Sequence, residues 1–441
     1  MTKVGFISLG CSKNLVDTEV MLYNLYSAGF EITPEEEEAE IIIINTCGFI
    51  ESAKQEAIDN ILDAAKLKEW GKCRHIIATG CLVERYREEV MREMPEVDAI
   101  IGVGSLCDIA EACQAVMRGE KYSSFRDKES SKLGGDRILT TEPHTAYLKV
   151  SEGCDNLCTY CAIPLIRGGH RSRTIEDIVA EARDLESMGV KELNLIAQDT
   201  TRYGLDIYGE YSLARLVRSI TEGTSIPWIR LLYCYPDKIT DELIDEFRTN
   251  DRLVKYMDIP IQHISDSVLQ RMNRHGDRAE IESAIKRLRE SVPGIVLRTT
   301  AMVGFPGESE ENFTELCEFV KETRFDRFGA FTFSPEEGTA AAEMEDQIDK
   351  QVKQDRYDIL MQTQLLVSEE LNAEKIGRTI SVLCDGFDTV AEIYYGRSYA
   401  DAPDVDGKVY FISRRKIAPG EFVNVKITEA MDYDLVGEAI V

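Results

Sequence analysis

Three cysteines, Cys154, Cys158 and Cys161, follow an apolar run at C-x3-C-x2-C spacing, in the stretch Glu152-Gly-Cys-Asp-Asn-Leu-Cys-Thr-Tyr-Cys161. Thiolates are soft ligands that hold iron-sulfur clusters, and a compact loop lets three sulfurs reach one 4Fe-4S cube. No fourth cysteine stands nearby. A cube with three protein thiolates keeps one iron open, and an open position on a metal serves a substrate or a cofactor. Reduced core cysteines and a zinc site are the alternative readings, although zinc favours paired C-x2-C spacings and four ligands.

A second triplet depends on the elements around it. Residues 1–117 alternate apolar runs at 4–9, 41–46, 75–80 and 97–103 with helical spacing at 15–28, 51–67 and 106–117, which predicts an open doubly wound parallel sheet. Ligands of such sheets bind outside the carboxyl ends of the strands, and Cys11, Cys47 and Cys81 each stand just past one. Three thiolates on one rim predict a second iron site with an open position. Cys73, Cys107, Cys113, Cys317 and Cys384 share no such pattern and read as packing, and Cys234, alone at a strand end, reads as a free thiol.

A chain of 441 residues exceeds one ordinary core and predicts two or three domains. No apolar run has membrane-spanning length and no signal segment opens the chain, so a soluble, cytoplasmic protein without membrane contact is expected. Twelve cysteines then point to a reducing compartment without disulfides. The net charge of -28 disfavours a mainly electrostatic grip on nucleic acid and favours a basic partner.

Residues 118–144 are polar, rich in Ser and Gly and without periodicity, and read as a linker. Residues 145–370 contain six strand-like runs, at 146–150, 192–197, 228–232, 256–260, 295–300 and 328–333, separated by helical stretches. Their carboxyl ends carry the cysteine loop, Gln198, Tyr233 to Pro236, Gln262, Arg298 and Ser334 to Gly338. The run Arg167-Gly-Gly-His-Arg171-Ser-Arg173 reads equally as a site for an acidic group and as a solvated loop. After a long helix at 349–373, short alternating runs at 379–383, 389–395, 409–412, 422–427 and 435–441 predict a small antiparallel β-barrel over 371–441. This segment has eight Lys and Arg against twelve Asp and Glu, a poor composition for phosphate binding; Arg414-Arg-Lys416 is its one basic run, so RNA contact is allowed but not dominant.

The cysteine loop resembles that of the radical S-adenosylmethionine (SAM) enzymes, whose open iron chelates SAM. This resemblance implies a partial (β/α)6 barrel for the central segment and gives Gln198, Gln262 and Arg298 as candidate SAM contacts. With both triplets in place, the whole chain resembles the radical SAM methylthiotransferases, which join a three-cysteine N-terminal domain, a radical SAM core and a TRAM β-barrel. Ser8-Leu-Gly-Cys-Ser-Lys-Asn-Leu-Val-Asp-Thr-Glu19, Ala197-Gln-Asp-Thr-Thr-Arg-Tyr-Gly204, Tyr256-Met-Asp-Ile-Pro-Ile-Gln-His263 and Phe333-Ser-Pro-Glu-Glu-Gly338 carry the match, closer to the branch acting on ribosomal protein S12 than to the tRNA branch. The acidic balance suits the basic S12.

The resemblance implies two 4Fe-4S clusters, SAM, an electron donor and a sulfur source. At Cys154, Cys158 and Cys161 SAM would be cleaved reductively, and the deoxyadenosyl radical would take hydrogen from the β-carbon of an S12 aspartate. Cys11, Cys47 and Cys81 would hold the cluster that delivers sulfur methylated by a second SAM. No side chain is singled out as a general acid or base. The alternatives are a tRNA adenosine methylthiotransferase and, in another class, a non-enzymatic iron-sulfur electron carrier.

Overall fold

The structure, a computed structural model, describes residues 1–440. Ile41, Ile42, Ile43 and Ile44 show how its first sheet is built. Side chains alternate across a strand, so Ile41 and Ile43 pack with Met21, Leu25, Ile109 and Ala112, while Ile42 and Ile44 pack with Ile61, Ala64 and Leu67. Helices Ser12–Ser27 and Ile109–Met117 thus cover one face and Glu51–Trp70 the other. A strand buried on both faces needs this continuous apolar run.

The sheet is parallel throughout, in the spatial order Glu31–Thr33, Lys3–Ser8, Ile41–Thr46, His75–Gly80, Ala99–Ile101 and Tyr122–Ser124. It has six strands where four were expected. The two additional strands are three-residue edges, too short for a periodic signal, and Tyr122–Ser124 lies in the stretch read as a linker. That stretch is also pinned, because the buried Arg137 reaches Glu19 at 2.9 Å on the first helix and Glu181 at 3.1 Å on the helix Ile175–Ser187.

The central segment forms the expected open parallel sheet of six strands, from Thr145–Lys149 in sequence order to Arg327–Thr332. The carboxyl-terminal strands Thr379–Asp388, Ile393–Ser398, Val409–Ile412, Leu435–Ala439 and Phe422–Ala430 close a barrel in that order, antiparallel as expected except where Val409–Ile412 and Leu435–Ala439 run parallel. The run expected at 389–395 begins only at Ile393, because Asp388 accepts from the backbone N–H groups of Val390 and Ala391 and makes a turn there. The last expected strand, 435–441, is observed as Leu435–Ala439, and its residue Val441 lies outside the described residues.

Ala400 and Ala402, on the connection between two barrel strands, pack with Tyr147, Ile196, Leu232 and Tyr256 inside the open central sheet. Buried pairs fix this insertion: Arg397 with Glu192, Arg327 with Asp401, and Arg298 with Asp406 at 3.5 Å. Burial alone would raise the carboxyls of Glu192 and Asp401, but the adjoining guanidiniums hold both below their ordinary values. The acidic residue count therefore overstates the charge the barrel shows to solvent, since the side chains of Asp385, Asp401 and Asp406 are 11%, 2% and 3% exposed. Among the described residues no helix is long and apolar enough to cross a membrane.

Candidate active site

Lys3–Ser8 and Ile41–Thr46 lie side by side where the strand order of the first sheet reverses, and Cys11 and Cys47 follow their carboxyl ends. A crevice opens at such a reversal. Two glycines let the three cysteine turns crowd together. A Cβ on Gly10, whose φ is +89°, would lie 2.8 Å from the Cβ of Cys47. A Cβ on Gly48 would lie 2.7 Å from the backbone of Leu82, next to Cys81. Burial pushes the Cys81 thiol up to about 12 against the pull of Arg167, and the neighbouring Cys11 and Cys47 add to the rise. Cys47 is raised as well, chiefly by burial.

The second triplet occupies one loop, closed at its base by the paired two-residue strands Ser151–Glu152 and Arg171–Ser172. Each thiol of the loop has a neutral hydrogen-bond partner. Asn156 Nδ2 donates to Cys154 Sγ at 3.4 Å, the Ile163 N–H to Cys161 Sγ at 3.4 Å, and the Tyr235 hydroxyl lies 3.5 Å from Cys158 Sγ. Burial pushes Cys154 up to about 11 and Cys161 up to about 12.

The two triplets are neighbours. Cys81 packs with Ala162 and Ile166, and Ala162 directly follows Cys161. Arg167, 3% exposed, closes the junction between them. It donates to Cys81 Sγ at 3.4 Å, Asn14 Oδ1 at 3.1 Å, Asp17 Oδ2 at 2.6 Å and Glu152 Oε2 at 3.0 Å, and Lys149 shares both carboxylates. The arginine run read as a solvated loop or anion site is thus partly interior: Arg173 is buried too, paired with Asp177 and Glu181. Outside this junction, Arg85 and Lys54 of the first domain reach Glu336 of the core at 2.8 and 3.2 Å.

Of the candidate SAM contacts, Gln198 donates to Glu152 at 2.5 Å beside the cysteine loop. Gln262 takes a left-handed φ of +67° at the carboxyl end of the fourth central strand, bonded through its backbone to Thr300 and Met302. Arg298 is engaged by Asp258 at 2.8 Å and by Asp406. Cys73, Cys113, Cys234 and Cys384 are buried and Cys317 is half-buried, whereas Cys107 is exposed on a short 3-10 turn and does not pack as expected.

Among the described residues no three His, Cys, Asp or Glu side chains converge as a site for a single ion. A cube asks for something different, because each thiolate takes its own iron. Both triplets offer thiols with outer hydrogen-bond donors, the surroundings that tune cluster ligands. Three buried acceptors beside the loop, Ser151 Oγ, Asn156 Oδ1 and Gln198 Oε1, have no partner, which fits a polar ligand bound over it. Asn156, Tyr235 and Arg167 were missed as thiol partners from sequence; only their nearness to the loop or to a strand end marked them.

Family models match the chain in three places: a protein family described as uncharacterized, UPF0004, over residues 3–102, the radical SAM superfamily over 148–320 and the TRAM domain over 376–440. Ribosomal protein uS12 methylthiotransferase RimO of Thermoanaerobacter sp. (strain X514) is 50% identical over 439 residues, covering 99% of this chain and all of that one. The protein of the same description from Clostridium perfringens (strain 13 / Type A) is 51% identical over 437 residues, 99% of this chain and 97% of its own. Among solved structures, the radical SAM methyltransferase TsrM from Kitasatospora setae, with tryptophan and a SAM analogue bound, superposes with a TM-score of 0.56 at 12% identity, over 88% of this chain and 79% of its own, a likeness of fold alone. From end-to-end identity and the radical SAM match, the chain is a radical SAM enzyme and belongs to the family of ribosomal protein uS12 methylthiotransferases.

Proposed function

We propose that this chain methylthiolates the β-carbon of an aspartate in ribosomal protein uS12 in two SAM-dependent steps, with one 4Fe-4S cluster held by Cys154, Cys158 and Cys161 and another by Cys11, Cys47 and Cys81. The observation that carries the proposal is the adjacency of the two triplets through Cys81, Ala162 and Ile166. When bound, the clusters and SAM would supply single-electron chemistry and transferable methylated sulfur. The β-carbon is so weakly acidic that a side-chain base tuned near neutral pH is badly matched to it.

The chain's own residues hold and orient. Burial raises the thiols of Cys81, Cys154 and Cys161, the residues that would hold iron, so that binding a cluster there would be coupled to loss of their protons. Arg167 fixes the Cys81 side chain, and Asn156 and Tyr235 fix those of Cys154 and Cys158. Gln198 and Gln262 are the better placed candidates for SAM contact; Arg298, taken by two aspartates, would have to release one. We divide the chain into a first domain at residues 1–124, which includes the edge strand Tyr122–Ser124, a connector at 125–144, a core at 145–370 and the TRAM barrel at 371–441. All twelve cysteines are free, which suits a reducing, cytoplasmic setting with an external electron donor and sulfur source. The test is to incubate the reconstituted enzyme with SAM, reductant, a sulfur source and either uS12 or tRNA. A methylthio mass increment is expected on uS12; an increment on tRNA alone would transfer the reading to the RNA branch, and no SAM cleavage would leave an electron carrier.

A further inference from the structure

Lys13 carries a cation without an anion on a side chain that is mostly buried. It is 8% exposed, in the first turn of helix Ser12–Ser27, two positions after Cys11. Its ammonium sits 3.2 Å from the centroid of the Tyr233 ring, and it has no hydrogen bond or ion pair with any described residue. Other largely buried lysines are satisfied: Lys149 by Asp17 and Glu152, Lys54 by Glu51 and Glu336, Lys353 by the Phe333 carbonyl. The ammonium keeps some contact with solvent, so an incoming anion can reach it beside the aromatic face. The neighbouring Ser12 hydroxyl is also buried without a partner, and the helix's first turn contains no acidic residue.

The position matters as much as the charge. Tyr233 follows the strand Trp228–Leu231 in a left-handed conformation, φ +61°, locked by its N–H to Asp258 at 3.0 Å and by its carbonyl accepting from Thr200 at 3.0 Å. Two residues on, the Tyr235 hydroxyl touches Cys158. Lys13 is therefore bracketed by Cys11 of one triplet and by the loop that contacts the other.

We propose that Lys13 receives the side-chain carboxylate of the substrate aspartate and so holds the adjoining β-carbon between the two cysteine triplets. This rests on the aspartate reading above. The carboxyl carbon is bonded directly to the β-carbon, so fixing one fixes the other. Adenosine in tRNA has no carboxylate to offer, which makes Lys13 a specificity determinant for a protein substrate.

The test is a binding cycle on the cluster-loaded full chain, wild type and Lys13→Met, with labelled uS12 carrying either its target aspartate or asparagine there, read by fluorescence anisotropy. The wild type should prefer the aspartate form by roughly tenfold or more, the effect of a charge-assisted hydrogen bond. Lys13→Met should bring the two forms within about twofold, with iron content and visible absorbance unaltered. A wild type that binds both forms equally overturns the proposal without any enzyme variant, and so does a Lys13→Met enzyme that keeps the preference. Failure of the wild type to modify uS12 at all, read by mass, would instead bring down the substrate reading; modification with an unaltered preference brings down Lys13 alone.

Discussion

Cys154, Cys158 and Cys161 come from one loop, whereas Cys11, Cys47 and Cys81 come from three separate strand ends that only the folded sheet brings together. The loop site uses neutral hydrogen-bond partners, Asn156, Tyr235 and a backbone N–H. The sheet site uses a guanidinium, Arg167, supplied by the other domain. A site made by local sequence is largely preorganised by its own turns. One made by tertiary structure depends on close backbone approach and on a partner domain in place.

The largest expected effect falls on that dependence. In Gly48→Ala the added methyl would meet the backbone of Leu82 at 2.7 Å, so the Cys47 and Cys81 turns must separate. Iron bound per chain after reconstitution should fall by about half, with SAM cleavage retained; full iron content would show that the sheet site tolerates loosening. Next in size, Arg167→Gln leaves Asp17 and Glu152 buried with Lys149 as their one remaining cation. A loss of about 3 kcal/mol in denaturant unfolding is expected, against about 1 kcal/mol for Tyr235→Phe, which removes one neutral hydrogen bond. Equal losses would erase the distinction between a charged and a neutral partner set.

The smallest effect concerns the insertion of the barrel into the central sheet. The carboxyls of Glu192 and Asp401 lie below their ordinary values of 4.5 and 3.8. A depressed carboxyl contributes its full stability above its unfolded value and loses it as pH falls through the folded one. Proteolysis at the 399–406 connection should therefore be steady above about pH 4.5 and rise only in more acidic solution. Enhanced cutting near neutrality would show that these pairs do not hold the barrel.

Both triplets were legible in sequence because cysteines following apolar runs mark strand ends, and strand ends are where such sheets bind ligands. The parallel strands were legible for the same reason: Ile41 to Ile44 can be buried on both faces in few other ways. The edge strands Glu31–Thr33 and Tyr122–Ser124 were not, since three residues are too few to carry a period. Nor was Arg167. Its partners Asp17 and Cys81 belong to the first domain, so nothing in the run Arg167 to Arg173 separates an interior guanidinium from a solvated one. The docking of the barrel by Ala400, Asp401 and Asp406 was hidden likewise, because a single inserted connection has no repeat.

The central claim is a division of labour between the two triplets, and replacing Cys11, Cys47 and Cys81 together by Ala tests it most directly. With uS12, SAM and reductant, deoxyadenosine formation should persist while the methylthio increment on uS12 disappears. Unchanged methylthiolation by the triple variant would contradict the account.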